Sequence, residues 1–136
     1  MKLLMIYTER FAYKTSVKAL DSEPEISEES AVDQALVGFI HVEEKDAANL
    51  PYVETKLVKN LKWAARKNKT RKIVLHSFAH LSESKASPEI TKQLLDSSER
   101  RLQGAGYEVY KTPLGYFLDL DLRAPGNSFA RLFTEI

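Results

Sequence analysis

A loop with an imidazole and several hydroxyl groups follows a short apolar strand near the middle of the chain. Ile73 to Leu75 have the continuous apolar character of a buried strand, and a helix is predicted to begin near Pro88. The loop between them lies at the carboxyl end of a strand, the edge where α/β sheets usually place their sites. Its polar residues include His80, Ser82, Ser84 and Lys85. His80 is our candidate for chemistry, and the alternative is a histidine that only caps the backbone.

The chain lacks the residues that several other common kinds of active site require. The chain has no cysteine, which removes disulfides, thiolate catalysis and cysteine zinc sites. It also has no phosphate-binding loop, dinucleotide motif, HExxH or GxSxG pattern. His41 and His76 fall inside predicted strands, where we expect structural roles. Asp119 and Asp121 share one strand face, and a metal or acid–base pair is an alternative to a solvated face there. Because no third ligand is at a suitable spacing, we predict no metal and no cofactor.

Composition indicates one compact domain of 136 residues, of which 43% are apolar. Twenty basic and 19 acidic side chains leave a net charge of +1, so any RNA partner must contact a local patch. No apolar run is long enough for a signal peptide or a membrane span. We therefore expect a cytoplasmic protein without membrane contact.

The predicted elements alternate between strands and helices. Strands are expected at residues 3–8, 11–17, 35–42, 73–75, 107–110 and 116–122. A tight turn at Glu9 and Arg10 would separate the first two. Helices are predicted from Asn49 to near Asn68, from Ser87 to Gly104 and from Ser128 to Phe133, the last capped by Asn127 or Ser128.

Basic side chains cluster on one face of the first predicted helix and in the connector after it. The four residues that we call the basic surface are Lys62, Arg66, Lys69 and Arg71. Scattered lysines are also the ordinary solvated covering of a surface helix, and this alternative stays open. The functional interpretation is a surface that contacts RNA phosphates without reading sequence.

Two motifs in the chain resemble a known family. The run Phe78-Ala79-His80-Leu81-Ser82, followed later by Pro113-Leu114-Gly115-Tyr116-Phe117, is similar to the N-terminal editing domain of archaeal threonyl-tRNA synthetases. The resemblance covers almost the whole chain. It implies a fold like that of the D-aminoacyl-tRNA deacylases, with one α/β domain, a mixed sheet and two main helices, usually as a homodimer.

The same resemblance implies how the chain is organised. Residues 1–136 would form a single editing domain, and the chain would be the N-terminal part of a longer protein. A synthetase catalytic domain would then act in the same chain or on a separate one.

The implied activity is hydrolysis of L-serine from mischarged threonine tRNA, whose 3′ end carries a seryl-adenosine. Serine lacks one methyl group of threonine, which is worth about 1–3 kcal/mol in a pocket, so a second site must remove the error. The implied catalytic residues are Phe78, Ala79 and His80, and the implied substrate-binding residues are Val42, Glu43, Ser77, Tyr116, Phe117 and Leu118. Backbone groups would hold the substrate, with His80 helping to position it.

The sequence departs from the family pattern at two positions. Leu118 stands where other members have a lysine, and Arg131 stands where some have a glutamate. A mechanism that needs either group cannot operate here, so backbone groups and the ribose 2′-hydroxyl would have to position the water and hold the oxyanion. Two alternatives stay open: a D-aminoacyl-tRNA deacylase, and a catalytically silent module for tRNA binding or dimerisation.

Overall fold

The computed structural model describes all 136 residues as one α/β domain with a mixed six-stranded sheet and two main helices, as predicted. The elements in chain order are β1 Lys2–Lys18, β2 Glu29–His41, α1 Leu50–Lys67, β3 Lys72–Ser77, α2 Pro88–Gly104, β4 Glu108–Lys111, β5 Tyr116–Arg123 and β6 Arg131–Glu135. Two short 3₁₀ helices, Glu44–Asn49 and Ser128–Ala130, precede α1 and β6.

The sheet is organised around β1, which has partners on both sides. Strand order is β4-β3-β2-β1-β5, and β6 also pairs with β1. The β2–β3 and β3–β4 ladders are parallel, and all ladders of β1 are antiparallel. The first part of β1 pairs with β6 and its second part with β5, so these two strands share one edge of β1.

The turn predicted at Glu9 and Arg10 is wrong, because both residues lie inside the single strand β1. The ladder with β2 continues past them, with Arg10 opposite Asp33. Both side chains are exposed, and Arg10 lies 3.6 Å from the carboxylate of Asp121 while Glu9 lies 3.5 Å from the guanidinium of Arg123. Charged pairs across strands are compatible with a continuous ladder, whereas turns favour Gly, Pro or Asn.

The closing helix predicted from Ser128 to Phe133 is also wrong. Asn127 does act as a cap, and its Oδ1 accepts hydrogen bonds from the N–H groups of Phe129 and Ala130. The helical turn ends at Ala130, and β6 then pairs with the start of β1. A free edge on β1 needs a partner strand, and this long-range pairing outweighs local helix propensity.

Both α-helices begin at the positions that were predicted from their capping residues. Asn49 Oδ1 accepts a hydrogen bond from the N–H of Tyr52, and Ser87 Oγ accepts one from the N–H of Ile90. Each helix has a proline in its first turn, where the missing N–H costs nothing. Neither helix is long and apolar enough to cross a membrane.

Apolar side chains on the two faces of the sheet form two cores. The face against the helices buries Leu3, Met5, Leu36, Ile40, Ile73 and Leu75. The opposite face buries Phe11, Tyr13, Val32, Ala35, Val37, Phe39 and Val74 in a cluster that we call the second core. Gly38 lets α1 approach closely, since a Cβ there would lie 2.9 Å from Leu61.

The β1–β2 ladder curls back over the sheet to close the second core. Phe11 pairs with Val32, and a flat strand would place Val32 about 23 Å from Phe39. The rings of Phe11 and Phe39 nevertheless lie 6.5 Å apart. This curl carries β5 and the turn before it towards the carboxyl end of β3.

Candidate active site

A pocket of about 440 Å³ opens where β2 and β3 end, within the size range of small-molecule sites. Its walls come from these strand ends, the loop after β3, the first turn of α2, the turn between β4 and β5, and Ala19 and Leu20 after β1. The curl of the sheet is therefore what completes the pocket.

Six of the nine residues predicted to form the site line this pocket: Val42, Ser77, Ala79, His80, Tyr116 and Phe117. The side chains of the other three lie elsewhere. Phe78 and Leu118 are half-buried against the second core. Glu43 is buried, with 6% of its surface exposed, at the end of β2. Phe78 can therefore offer only backbone groups to a ligand.

The loop after β3 is tied to the end of β2 by hydrogen bonds at both of its ends. The N–H of Phe78 donates to the carbonyl of Ile40 at 2.9 Å, and the N–H of Ala86 donates to the carbonyl of Val42 at 3.0 Å. Because β2 is itself fixed in the sheet, these contacts hold residues 78–86 against a rigid element.

His41 is buried beneath this loop and uses both ring nitrogens to hold it. Its Nδ1 accepts a hydrogen bond of 2.9 Å from the N–H of Leu81. Its Nε2 therefore carries the hydrogen and donates to the carbonyl of Ser84 at 2.7 Å. The structural role predicted for His41 agrees with these contacts.

Glu43 joins the loop to a buried cluster of charges. Its Oε2 accepts a hydrogen bond of 2.8 Å from Ser82, and its Oε1 lies 2.9 Å from the Met1 ammonium. That ammonium also lies 2.9 Å from Asp46 Oδ1. Burial raises the pKa of Glu43, but the ammonium and the Ser82 hydroxyl outweigh it and lower the pKa to about 2. One carboxylate oxygen of Glu43 thus accepts a hydrogen bond, and the other faces the ammonium in an ion pair.

The backbone N–H groups of Ala79 and His80 donate no hydrogen bond within the chain. Both residues line the pocket, whereas the neighbouring N–H of Phe78 is already bonded. Backbone N–H groups without a protein acceptor are available to an oxygen atom of a ligand. Two consecutive free donors are an arrangement that can stabilise an oxyanion.

The ring of His80 is exposed and makes aromatic contacts only. Its centroid lies 4.9 Å from that of Phe78 in a T-shaped contact and 6.4 Å from that of Phe117 at an interplanar angle of 29°. Phe117 is itself 54% exposed. These two exposed rings at the pocket suit a planar base as ligand.

His76 lies behind the pocket in the second core and is a structural residue, as predicted. Its Nδ1 is 2.8 Å from Thr112 Oγ1. Burial lowers the pKa of His76 to about 4, and the nearby His80 contributes in the same direction. His76 is therefore neutral at neutral pH.

The opposite wall is held in place by the Tyr116 hydroxyl. That hydroxyl accepts a hydrogen bond of 2.8 Å from the N–H of Ile26 and donates to the carbonyl of Pro24. Tyr116 therefore offers its ring to the pocket but has no free hydroxyl hydrogen. Gly115 has φ +87°, and its carbonyl accepts from the N–H groups of Ala19 and Leu20. A Cβ at Gly115 would lie 2.8 Å from Glu23 Cγ and 3.2 Å from Leu20 Cβ, and side chains rarely adopt this φ, so glycine suits this position in the wall.

The whole chain, residues 1–136, matches the family model of the archaea-specific editing domain of threonyl-tRNA synthetase. The chain belongs to this editing-domain family. It is 34% identical over 139 residues to a threonine–tRNA ligase of Thermococcus kodakarensis and 32% identical to one of Pyrococcus horikoshii. Each alignment covers 100% of this chain and 22% of the relative, so the chain spans about one fifth of the length of these proteins.

A solved structure, the c-Myc DNA Unwinding Element Binding Protein, shares the fold of this editing domain. The TM-score is 0.71 at 14% sequence identity, with 100% of this chain and 99% of the other covered. The predicted fold class, a D-aminoacyl-tRNA deacylase-like α/β domain, is confirmed. The enzyme class predicted from the sequence, an aminoacyl-tRNA deacylase, is that of the editing-domain family.

Ten of the 16 residues that line the editing-domain pocket were not predicted as site residues. Leu20, Lys85 and Thr91 line it beside the predicted residues. Thr91 lies four residues after the helix cap Ser87, and this spacing could have placed it in the first turn of α2, facing the loop. Leu20 follows an irregular end of β1, and no local pattern marks it.

The basic surface of the editing domain lies away from this pocket. Lys62 and Arg66 are on the last turns of α1, and Lys69 and Arg71 precede β3, whose other end reaches the pocket at Ser77. The length of β3 alone separates the basic surface from the pocket by about 17 Å. Arg71 donates to the carbonyl of Gly106 and lies over Tyr107, so it also has a structural contact.

Proposed function

We propose that this editing domain hydrolyses L-serine from mischarged threonine tRNA. The observation that carries the proposal is the pair of free backbone N–H groups at Ala79 and His80, which line the pocket next to the exposed rings of His80 and Phe117. A seryl ester on a terminal adenosine has a carbonyl for the two N–H groups and a base for the two rings.

In this mechanism, water attacks the ester carbonyl and the 3′ oxygen of the ribose leaves. The negative charge that develops on the carbonyl oxygen is stabilised by the N–H groups of Ala79 and His80. The substrate's own 2′-hydroxyl positions the water. This assignment is favoured because Leu118 lies in the second core and Arg131 donates to the carbonyl of Pro125, so neither supplies a catalytic lysine or glutamate.

A tRNA that ends in 2′-deoxyadenosine and carries a 3′ seryl ester tests this step. We expect it to bind with the affinity of the normal substrate and to resist hydrolysis. Cleavage at the normal rate would exclude assistance by the 2′-hydroxyl.

Selection of serine over threonine would follow from the restricted space in the pocket. The walls are largely apolar, with Ser77 and Thr91 supplying hydroxyl groups that make no hydrogen bond to a neighbouring side chain. A methyl group without room is rejected sterically, which a second, editing site can exploit where the first site cannot discriminate.

A D-aminoacyl-tRNA deacylase is the alternative hydrolase, and the chirality of the accepted ester separates the two. We expect hydrolysis of L-seryl-tRNA but not of D-seryl-tRNA on the same threonine tRNA. Preferential loss of the D-ester would favour the alternative. A catalytically silent module would bind both esters and cleave neither.

The partners in this proposal are threonine tRNA, a synthetase catalytic domain in the same or another chain, and a second copy of the domain. The basic surface would contact tRNA phosphates outside the pocket. The protein would work in the cytoplasm, where aminoacyl-tRNA is made and used. Residues 1–136 would act as one editing domain within a longer protein.

The homodimer would form on β5. Leu120 and Leu122 lie opposite the buried Tyr13 and Phe11 and are 38% and 37% exposed, so the apolar face of the second core continues to the surface there. A second copy would cover these side chains. Sedimentation equilibrium measures the mass, and a monomer at micromolar concentration would contradict the dimer.

A further inference from the structure

Lys85 carries the only permanent charge among the residues that line the pocket. No aspartate or glutamate lines it, and its other ionisable side chains are the imidazole of His80 and the phenol of Tyr116. A pocket with one positive charge and no negative charge favours a ligand that carries an anionic group.

The ammonium of Lys85 has no partner within the chain. The lysines that do form ion pairs are Lys2, Lys18, Lys45, Lys92 and Lys111. Lys85 accordingly remains exposed, and its charge is available to a ligand.

The same wall of the pocket contains the first turn of α2, through Pro88 and Thr91. A helix N-terminus carries a partial positive charge, so the potential of this helix adds to that of Lys85. Glu89 in the same turn is acidic, but it does not line the pocket.

We propose that Lys85 forms a subsite for the phosphate on the 5′ side of the terminal nucleotide of the tRNA. The subsite rests on the proposed function, because it requires that the pocket receive a 3′-aminoacyl adenosine. That ligand has one anionic group close to its sugar, namely the 5′ phosphodiester, which is absent from the free nucleoside.

A role in stabilising the reaction's oxyanion fits Lys85 less well. A group that stabilises a transition state must be held in place before the reaction. The ammonium of Lys85 has no hydrogen-bond partner to hold it, whereas a flexible ammonium can follow a solvated phosphate. Lys85 therefore contributes to affinity, and the backbone groups contribute to the chemical step.

Two non-hydrolysable ligands test the subsite. Both carry a seryl group on a 3′-amino-3′-deoxyadenosine, and only one carries a 5′ phosphate. For wild type, we expect the phosphate to lower Kd by roughly threefold to tenfold, between the effects of an exposed ion pair and a charged hydrogen bond. Isothermal titration calorimetry at low salt measures both constants.

The Lys85→Gln variant should bind the ligand without a 5′ phosphate with the wild-type Kd. The 5′ phosphate should no longer lower the Kd of this variant. Lys85→Arg should keep most of the gain, because it keeps the charge. Lys59→Gln is the matched control, since Lys59 is an exposed lysine without an ion pair on α1.

The outcomes separate this subsite from the proposed function. The Lys85 subsite is wrong if the 5′ phosphate still lowers Kd in Lys85→Gln. It is also wrong if wild type binds both ligands with the same Kd. In either case the editing pocket stands. If wild type binds neither ligand, the proposed function itself fails, and the subsite fails with it.

Discussion

The carboxylate of Glu43 accepts a hydrogen bond of 2.8 Å from the hydroxyl of Ser82, which links a buried charge at the end of β2 to the loop that carries His80. The other oxygen of Glu43 faces the Met1 ammonium. Together with the two bonds of His41 to Leu81 and Ser84, this contact holds the loop from below. The free N–H groups of Ala79 and His80 thus belong to a loop that is fixed before a ligand arrives.

Replacement of Glu43 by glutamine should destabilise the domain by about 3 kcal/mol or more, because removal of one partner from a buried ion pair costs 3–5 kcal/mol. Urea denaturation at pH 7 measures the loss. Lys45→Gln is the control, since Lys45 is exposed and lies 3.9 Å from the same carboxylate. Equal stability of Glu43→Gln and wild type would contradict a buried ion pair.

The lowered pKa of Glu43 also predicts a loss of stability in acid. A carboxylate with a pKa of about 2 when folded and an ordinary value of 4.5 when unfolded contributes its full stabilisation above pH 4.5. This contribution is lost as the pH falls from 4.5 towards 2. The free energy of unfolding of wild type should fall steeply as the pH is lowered through that interval. The free energy of unfolding of Glu43→Gln should fall less, because glutamine does not titrate.

His76 should produce a second, separate loss of stability at higher pH. Its pKa is about 4 when folded and 6.5 when unfolded, so the neutral ring contributes fully above pH 6.5 and its contribution is lost between pH 6.5 and 4. His76→Phe in a Thr112→Val background removes the titrating ring and its hydroxyl partner together. Between pH 6.5 and 4, the free energy of unfolding of that double variant should change less with pH than that of the single variant Thr112→Val. An identical slope in the two proteins would show that His76 is not the titrating group.

Phe117 should contribute to substrate affinity rather than to the chemical step. Replacement of a stacking ring by alanine typically costs 1–3 kcal/mol per base, so Phe117→Ala should raise KM by about fivefold to 150-fold with little change in kcat. Phe117→Tyr keeps the ring and should stay close to wild type. Steady-state deacylation kinetics distinguish these effects, and a loss confined to kcat would mean that Phe117 does not hold the base.

Neutralisation of Lys62, Arg66 and Lys69 together should weaken tRNA binding and reduce its salt dependence, because each phosphate contact adds about 0.7–0.9 to the slope of log K against log salt. Arg71 is left in place because its contact with Gly106 supports the fold. Filter binding between low and physiological salt measures the slope. Unchanged affinity at low salt would show that the basic surface is an ordinary solvated helix face.

Features set by neighbouring residues could be predicted from the sequence. The caps Asn49 and Ser87 each act within three residues of their own position, so the starts of both helices were correct. Features set by distant pairing could not be predicted in the same way. Glu9 and Arg10 look like a turn until β2 and β5 are placed beside them, and residues 131–135 become a strand because β1 has a free edge.

The pocket illustrates the same limit at the candidate site. The family motifs identified His80 and Phe117, which are 37 residues apart and stack only because β1 and β2 curl over the sheet. Lys85 and Thr91 belong to no motif, and their place in the pocket depends on where α2 begins. Leu118 follows Phe117 directly but points into the second core, because successive side chains of a strand face opposite ways.

The most direct test of the editing proposal is single-turnover deacylation by the wild-type chain of L-seryl-tRNA and L-threonyl-tRNA, both on threonine tRNA. We predict that serine is released much faster than in the absence of protein and that threonine is retained. If both esters decay at the uncatalysed rate while the tRNA binds, the domain is a silent binding module. If both are released equally fast, the pocket does not exclude the methyl group, and editing of serine is contradicted.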